Sequence, residues 1–388
     1  MKVFHCAHCQ QLVFFENTQC VNCGRTLAYL PDLGVMASLD QSNARDQGNN
    51  GQGGNPPLWQ TPIPLAQGRR YRLCDNYSRY NLCNWAVDAG DDNTLCRSCR
   101  LTQAAPSLSR QGARDAWYKL EVAKRRVIYS LLQLGCPVEK HGSRDGHGLA
   151  FEFLGDGDKE AGKPVLTGHA QGVITVNIAE ADDAERERRR LQLQEPYRTL
   201  VGHLRHEVGH YYWERLVQGG ARLEQFRAAF GDERRDYGAA LKSHYSQGAP
   251  PDWQQRFVSA YAAAHPWEDW AETWAHYLHM TDTLETAVAC GLSLMPWRAD
   301  EPVLKLDISR STPNAPSAPF ERLINNWFPV TYLLNNLNRG MGLPDGYPFV
   351  LSPAAIEKLR FVHETIAAAG EQESIKESQR RSGTQTWR

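Results

Sequence analysis

The sequence predicts an α+β protein: a small β-rich module in front, and behind it a mainly helical domain with a small β-sheet. Three observations carry this. The first 99 residues hold two cysteine quartets spaced as paired knuckles. Between Gly148 and Ile178 apolar residues form short runs broken by Gly and Asp, the pattern of strands. From Pro196 to Val217, and again after Tyr261, apolar residues recur three and four apart, the pattern of helices. The expected division is 1–105 for the module, 108–370 for the helical domain and 371–388 for a disordered polar tail.

Bulk properties narrow the function classes. A length of 388 residues gives room for two or three domains, and 41% hydrophobic with 22% charged residues is ordinary for a soluble chain. A net charge of -1 argues against attraction of the whole chain to nucleic acid or an anionic membrane. No apolar run approaches the ~20 residues of a membrane span, and Met1 to Cys6 leads into a cysteine motif where a signal peptide would lie. A cytoplasmic protein without membrane contact is expected.

In chain order, Cys6-x2-Cys9 and Cys20-x2-Cys23 are two knuckles separated by ten residues. Each offers two thiolates to one tetrahedral ion, and four soft ligands with no open position point to structural zinc. Val13-Phe14-Phe15 is expected as a strand of this ribbon. Residues 41–57 are polar and rich in Gly and Asn, the composition of a flexible insertion. Cys74, Cys83, Cys96 and Cys99 form a looser second quartet, expected to hold a second structural zinc. Cys136 and Cys290 are left over in apolar surroundings and are expected in the core.

Between Arg97 and Arg126 basic residues outnumber acidic ones eight to two. Trp117, Leu120, Val127, Ile128, Leu131 and Leu132 make the buried stripe of a helix there. Its basic side is expected to be a solvated face, with binding to nucleic acid or an acidic partner as the competing reading. Residues 149–154, 164–167 and 173–178 are expected as strands. An exposed edge of that sheet would suit an extended peptide. A charged helix over 179–193 follows.

His206-Glu207-Val208-Gly209-His210 reads H-E-x-x-H within a helical pattern. Residues four apart share a helix face, so both imidazoles can reach one ion, with Glu207 close to an ion-bound water. Short helices are expected over 222–230 and 236–245. In His265 to Tyr277 the carboxylates Glu268 and Glu272 again stand four apart. One can ligate and the other can hydrogen-bond a ligand histidine; the spacing alone does not choose between them, and His276 or His279 could replace a carboxylate. Trp267, Trp270 and Trp274 imply a buried helix, and buried carboxylates need partners. A loop-rich stretch with Trp327-Phe328-Pro329 and a last helix over 353–369 complete the reading.

These residues resemble a family of zinc-binding metallopeptidases carrying a zinc ribbon in front. The likeness rests on the cysteine quartets, R-H-E-V-G-H-Y-Y-W at 205–213, H-P-W-E-D-W-A-E-T-W-A-H-Y-L-H at 265–279 and Y-P-F-V-L-S-P at 347–353. More broadly the chain is similar to the glutamate-zincins. The resemblance implies a zincin-like fold with Glu268 as the third ligand of a catalytic zinc and Glu272 as its supporting carboxylate. It also implies Glu207 as general base for peptide hydrolysis and Tyr261 as donor to the oxyanion, with His265 as the substitute donor. The expected partners are a peptide or protein substrate and, for the ribbon, a protein or nucleic acid. The alternative is a ribbon adaptor or nucleic-acid-binding protein whose zincin-like domain does no chemistry.

Overall fold

The computed structural model describes residues 2–42, 56–142, 148–158, 163–193, 199–295, 297–298, 300, 303 and 318–383. The expected flexible insertion lies outside these residues over 43–55; at its edges Ser42 N–H donates to the Leu58 carbonyl at 2.8 Å.

The N-terminal module is built from short antiparallel strands. β1 (Phe4–His5) pairs with β2 (Leu12–Val13). The expected strand over 13–15 stops at Val13, because Asn17 takes the Phe14 peptide groups: Phe14 N–H donates to Asn17 Oδ1 at 2.7 Å and its carbonyl accepts from Asn17 N–H at 3.0 Å. β3 (Thr26–Leu30), β4 (Val35–Gln41), β5 (Trp59–Gln60), β6 (Tyr71–Leu73) and β7 (Ala86–Asp88) form a five-stranded sheet in that order. A one-turn helix, α1 (Asp75–Ser78), joins the last two strands. A bridge between Tyr29 and Trp85 brings the sheet's first and last strands together.

The second sheet has the order β10-β11-β9-β8. β8 (Thr102–Ala104) leaves the cysteine module to pair in parallel with β9 (Ala150–Leu154), on whose other side β11 (Val173–Asn177) also runs parallel. β10 (Gly168–Ala170) is an antiparallel edge. The expected strand over 164–167 is coil. Pro164 has no N–H to donate, and side chains take the Val165 peptide groups: Asp156 accepts from its N–H at 2.9 Å, and Asn177 donates to its carbonyl at 2.9 Å.

α2 (Ala113–Gln133) packs between the module and the rest of the chain. Trp117, Leu120, Val127, Ile128 and Leu131 are buried as expected, and Leu132 is half-buried. Its basic side is not simply a solvated face. Arg114 donates to the Tyr80 carbonyl at 2.7 Å, Arg125 to the Leu82 carbonyl at 2.6 Å, and Arg126 to Glu16 at 2.6 Å. Lys124 is fully buried and paired with Glu121 at 2.8 Å. Several of the cations that could have met an acidic partner instead fasten the helix within the protein.

The helical part continues with α3 (Asp183–Leu193), α4 (Leu200–Leu216), α5 (Leu223–Phe230), α6 (Tyr237–Gln247), α7 (Trp253–Arg256), α8 (Pro266–Ala289), α9 (Phe320–Gly340) and α10 (Pro353–Gly383). α9 occupies the stretch expected to be loop-rich. Phe320, Leu323, Ile324, Trp327 and Val330 bury one face across Pro329, and the Thr331 hydroxyl donates to the Trp327 and Phe328 carbonyls beside it. α10 runs past the expected end at 369: Gly370 sits within it close to the Leu134 carbonyl, and the Glu, Gln, Lys and Arg that follow are good helix formers. The tail expected from 371 is therefore helix through 383. Cys136 is in the core, but Cys290, as C-cap of α8, is exposed.

One apolar core runs from Phe4 to Ile366, across the division expected near 105–108. Phe15 and Tyr29 of the module, packed with Trp85, meet Tyr129 of α2 with ring centroids 5.3 and 5.7 Å away. No helix of the described residues is long and apolar enough to cross a membrane.

Candidate metal centre

The site forms where α4 crosses α8. Thr199 caps α4 by accepting from Gly202 N–H, and His265 caps α8 by accepting from Trp267 N–H, with Pro266 as its first residue. At the crossing, a Cβ on Gly209 would stand 3.0 Å from Ala271 Cα, so only glycine lets the backbones approach this closely. Trp270 Nε1–H donates to the Gly209 carbonyl at 2.8 Å, pinning the contact from the α8 side. The approach puts Glu268 against both histidines of the H-E-x-x-H turn.

Among the described residues, three groups bring possible metal-ligand atoms within 4.8 Å of one another: Cys6, Cys9, Cys20 and Cys23; Cys74, Cys83, Cys96 and Cys99; and His206, His210 and Glu268. In the third, His206 Nε2 is 3.2 Å from His210 Nε2 and 3.0 Å from Glu268 Oε2, which lies 3.6 Å from His210 Nε2. A tetrahedral zinc with ~2.0–2.1 Å bonds has ligand edges of about 3.3 Å, so the triangle fits. In the quartets, Sγ pairs lie 3.7, 3.6 and 3.7 Å apart, against about 3.8 Å for ~2.3 Å Zn–S bonds. The donor sets also differ in kind. The quartets are closed four-thiolate sets, whereas the third has two imidazoles, one carboxylate and room for a fourth ligand.

Glu268 Oε2 is buried and lacks a hydrogen-bond partner in the described structure, while its Oε1 accepts from Tyr237 Oη at 2.6 Å. A buried carboxylate with one oxygen tied and the other aimed at two imidazoles needs a cation there. Burial pushes the Glu268 carboxyl up, but His210 and His206 outweigh it and hold it well below the usual carboxylate range. Glu272 lies beside this triangle. Its Oε1 meets His206 Nδ1 at 2.8 Å, and its Oε2 accepts from Ser259 Oγ at 2.6 Å. That bond places the His206 proton on Nδ1 and leaves Nε2 free for the ion. His210 is held by packing against Trp267, ring centroids 4.6 Å apart.

Glu207 is buried beside the triangle. Burial alone would raise its pKa; the hydrogen bond and charge of His203, with His206 and His210, reverse that and keep it lowered. His203 stands between two carboxylates, with Nε2 3.2 Å from Glu207 Oε1 and Nδ1 2.6 Å from Glu180 Oε2. Burial pulls the imidazole down, but Glu180 and then Glu207 outweigh this and push it up to about 9.

A cavity of about 1070 Å³ opens over these groups, lined by His206, Glu207, Glu268, Tyr261 and the 165–169 segment leading into β10. Tyr261 lines it with its ring centroid 5.9 Å from that of His206, and burial pushes its hydroxyl pKa far up, so it stays a proton donor. His265 does not line it. Its Nδ1 accepts from Trp267 N–H and its Nε2 meets the Arg235 carbonyl at 3.1 Å, so the expected substitute role has no free nitrogen to perform it. His276 and His279 line the cavity but lie outside the ligand triangle; His276 Nδ1 meets Tyr347 Oη at 2.7 Å. Asp269, between the two glutamates in sequence, is buried in an ion pair with Lys358 at 2.6 Å.

Sequence reasoning missed Tyr237, Ser259, His203 and Glu180. His203 was visible one turn ahead of Glu207, in H-x-x-H-E. The other three come from elements distant in sequence and carried no local signal.

Residues 113–365 match a family described as "Putative zinc-binding metallo-peptidase", and residues 3–110 match a zinc-ribbon domain. Uncharacterized proteins of Mycobacterium bovis and of two Mycobacterium tuberculosis strains are each 41% identical over 367 residues, covering 94% of this chain and 95% of theirs. No solved structure matches. A match over most of the helical part, a ribbon match over the cysteine module and near full-length relatives lead to one conclusion: the chain belongs to this zinc-binding metallo-peptidase family and carries an N-terminal zinc ribbon.

Proposed function

We propose that the chain is a zinc-dependent peptidase acting on an extended peptide or protein segment. The observation that carries this is Glu268 Oε2, unpartnered and aimed at the two Nε2 atoms of the H-E-x-x-H turn over an accessible cavity. His206, His210 and Glu268 would hold the ion, and the two cysteine quartets would hold structural zinc. When bound, zinc polarises the scissile carbonyl and lowers the pKa of its water toward ~7.

The chain's own groups then do the following. Glu272 and Ser259 fix the His206 tautomer, and Tyr237 fixes the Glu268 rotamer. Glu207, held anionic, takes a proton from the attacking water and returns it to the leaving amine. Tyr261, protonated in its buried setting, donates to the oxygen that gains charge. β10, the edge strand of its sheet among the described residues, offers main-chain groups to an extended substrate next to the 165–169 cavity wall.

Glu207→Gln tests the reading. The variant is expected to keep its zinc and lose cleavage of casein or a peptide library; undiminished cleavage would refute the mechanism. Emission spectroscopy is expected to count three zinc ions per chain, one of them stripped first by chelator because only that site is open.

A further inference from the structure

Resting on that reading, we propose that His203 and Glu180 form a positioning pair for the general base: His203 donates through both ring nitrogens, to Glu180 and to Glu207, and so fixes Glu207 with one oxygen left for the attacking water.

The geometry is specific. His203 lies one helical turn before Glu207 on α4, so its Nε2 reaches Glu207 Oε1 at 3.2 Å. Its Nδ1 lies 2.6 Å from Oε2 of Glu180, in the turn after β11. Glu180 is itself anchored: it is 1% exposed, and its Oε1 accepts from Thr167 Oγ1 at 2.6 Å. An imidazole donates from both nitrogens only as the cation, and a cation between two carboxylates is the protonation state this setting favours. The pair is therefore oriented from outside the metal triangle, by a carboxylate in the turn that follows β11.

The chemical consequence follows. A free glutamate rotates about its terminal torsion and spreads its two oxygens over many orientations. With Oε1 tied to His203, that torsion of Glu207 is restricted and Oε2 is left for the attacking water. His203 lies outside the ligand triangle, and its side chain is only 18% exposed.

The test uses the zinc-loaded full chain as wild type, His203→Leu, His203→Gln, Glu180→Gln and Glu207→Gln. Zinc content is read by emission spectroscopy, acetohydroxamate affinity by calorimetry, and kcat and KM on fluorescent casein. Acetohydroxamate is chosen because it chelates zinc while handing a proton to the base, so this arm needs no knowledge of the substrate. His203→Leu and Glu180→Gln are expected to keep wild-type zinc content, to weaken acetohydroxamate about tenfold or more, and to lower kcat with KM within about twofold. His203→Gln, which can place an amide N–H near the original Nε2, is expected to recover part of the loss.

Wild-type affinity and kcat in His203→Leu, with both lost in Glu207→Gln, would overturn the positioning pair alone. Wild-type behaviour of Glu207→Gln would overturn the general-base reading beneath it. Loss of zinc from both His203→Leu and Glu180→Gln would show a mere scaffold for α4, and would also overturn the proposal. If His203→Leu does not fold, the isosteric Glu180→Gln decides by the same readouts.

Discussion

Replacing Gly209 by alanine adds one methyl group where α4 crosses α8, and two effects then oppose each other. Alanine in a helix interior is favoured over glycine by ~0.8–1.0 kcal/mol. Against this, the new Cβ would lie 3.0 Å from Ala271 Cα, 3.2 Å from the Ala271 carbonyl oxygen and 3.2 Å from Trp274 Cβ. Carbon contacts settle near ~3.5–4.0 Å, so the helices must part by roughly 0.5 Å, and two of the three obstacles are backbone atoms that cannot rotate away. Overpacking of this kind costs ~1–3 kcal/mol, so packing wins and the net loss is about 1 kcal/mol. The more telling effect is on the metal. Parting the helices lengthens the 3.0 and 3.6 Å edges that join Glu268 Oε2 to the two histidines. Thermal melting, with zinc titration against a chromophoric chelator, checks both. Tm is expected to fall, and the weakest-bound zinc to lose about tenfold in affinity while the other two hold. A higher Tm with unchanged zinc affinity, as helix propensity alone would give, would refute the argument.

Other outcomes follow from single contacts. Tyr237→Phe removes the donor to Glu268 Oε1 and is expected to weaken the zinc proposed at this triangle about tenfold with little change in Tm, measured by the same titration. Arg125→Met removes a buried cation beside Cys83, Cys96 and Cys99 that also holds the Leu82 carbonyl. It is expected to lower the melting temperature of the whole chain in one transition, and a separate early transition of the ribbon alone would contradict the shared core. His276 is buried and its pKa is pushed down to about 4, below the ordinary 6.5. Between those values the unfolded chain binds a proton that the folded chain does not, so stability is full above pH 6.5 and falls as the pH drops toward 4. His276→Asn, which keeps an acceptor for Tyr347, is expected to flatten that slope in denaturant titrations run from pH 7 to 4.5.

How far the sequence could be read depended on how local each signal was. The H-E-x-x-H turn, the C-x-x-C knuckles and the Glu268/Glu272 pair are each set by residues three or four apart, so spacing reveals them, whereas the fold brings Cys74 and Cys83 to Cys96 and Cys99 and sets Glu268 against the histidines. The caps at Asp236 and His265 mark helix starts in the same way, and the same capping duty takes His265 out of the cavity. Reading failed where a tertiary contact overrode a local cue. The stretch with Trp327-Phe328-Pro329 is expected to be loop-rich, but a buried stripe from Phe320 to Val330 carries a helix through Pro329. The helix expected to end at 369 runs on through Gly370, where α10 meets the Leu134–Gly135 turn. The basic run before Arg126 looked solvated because its acceptors, the Tyr80 and Leu82 carbonyls and Glu16, come from the cysteine module across a long sequence gap.

That last contact bears on why a ribbon precedes this domain at all. From the module, Phe15 and Tyr29 pack on Tyr129 of α2, whose hydroxyl donates to Glu285 on α8 at 2.9 Å. One residue on, Ser130 donates to Asp282 at 2.7 Å, and Asp282 pairs with Arg205, the neighbour of His206 on α4. The module is thus joined to both helices that carry the candidate ligands, α4 and α8, through α2. Metal binding to a closed four-thiolate set is folding free energy for whatever its strands pack against. Here they pack against the helix that braces α4 and α8, so the proposed structural zinc ions would stiffen the crossing at Gly209 from behind. On this physical account the module needs no partner of its own to matter for the site: it is one wall of the core in which His206, His210 and Glu268 are held a tetrahedron's edge apart.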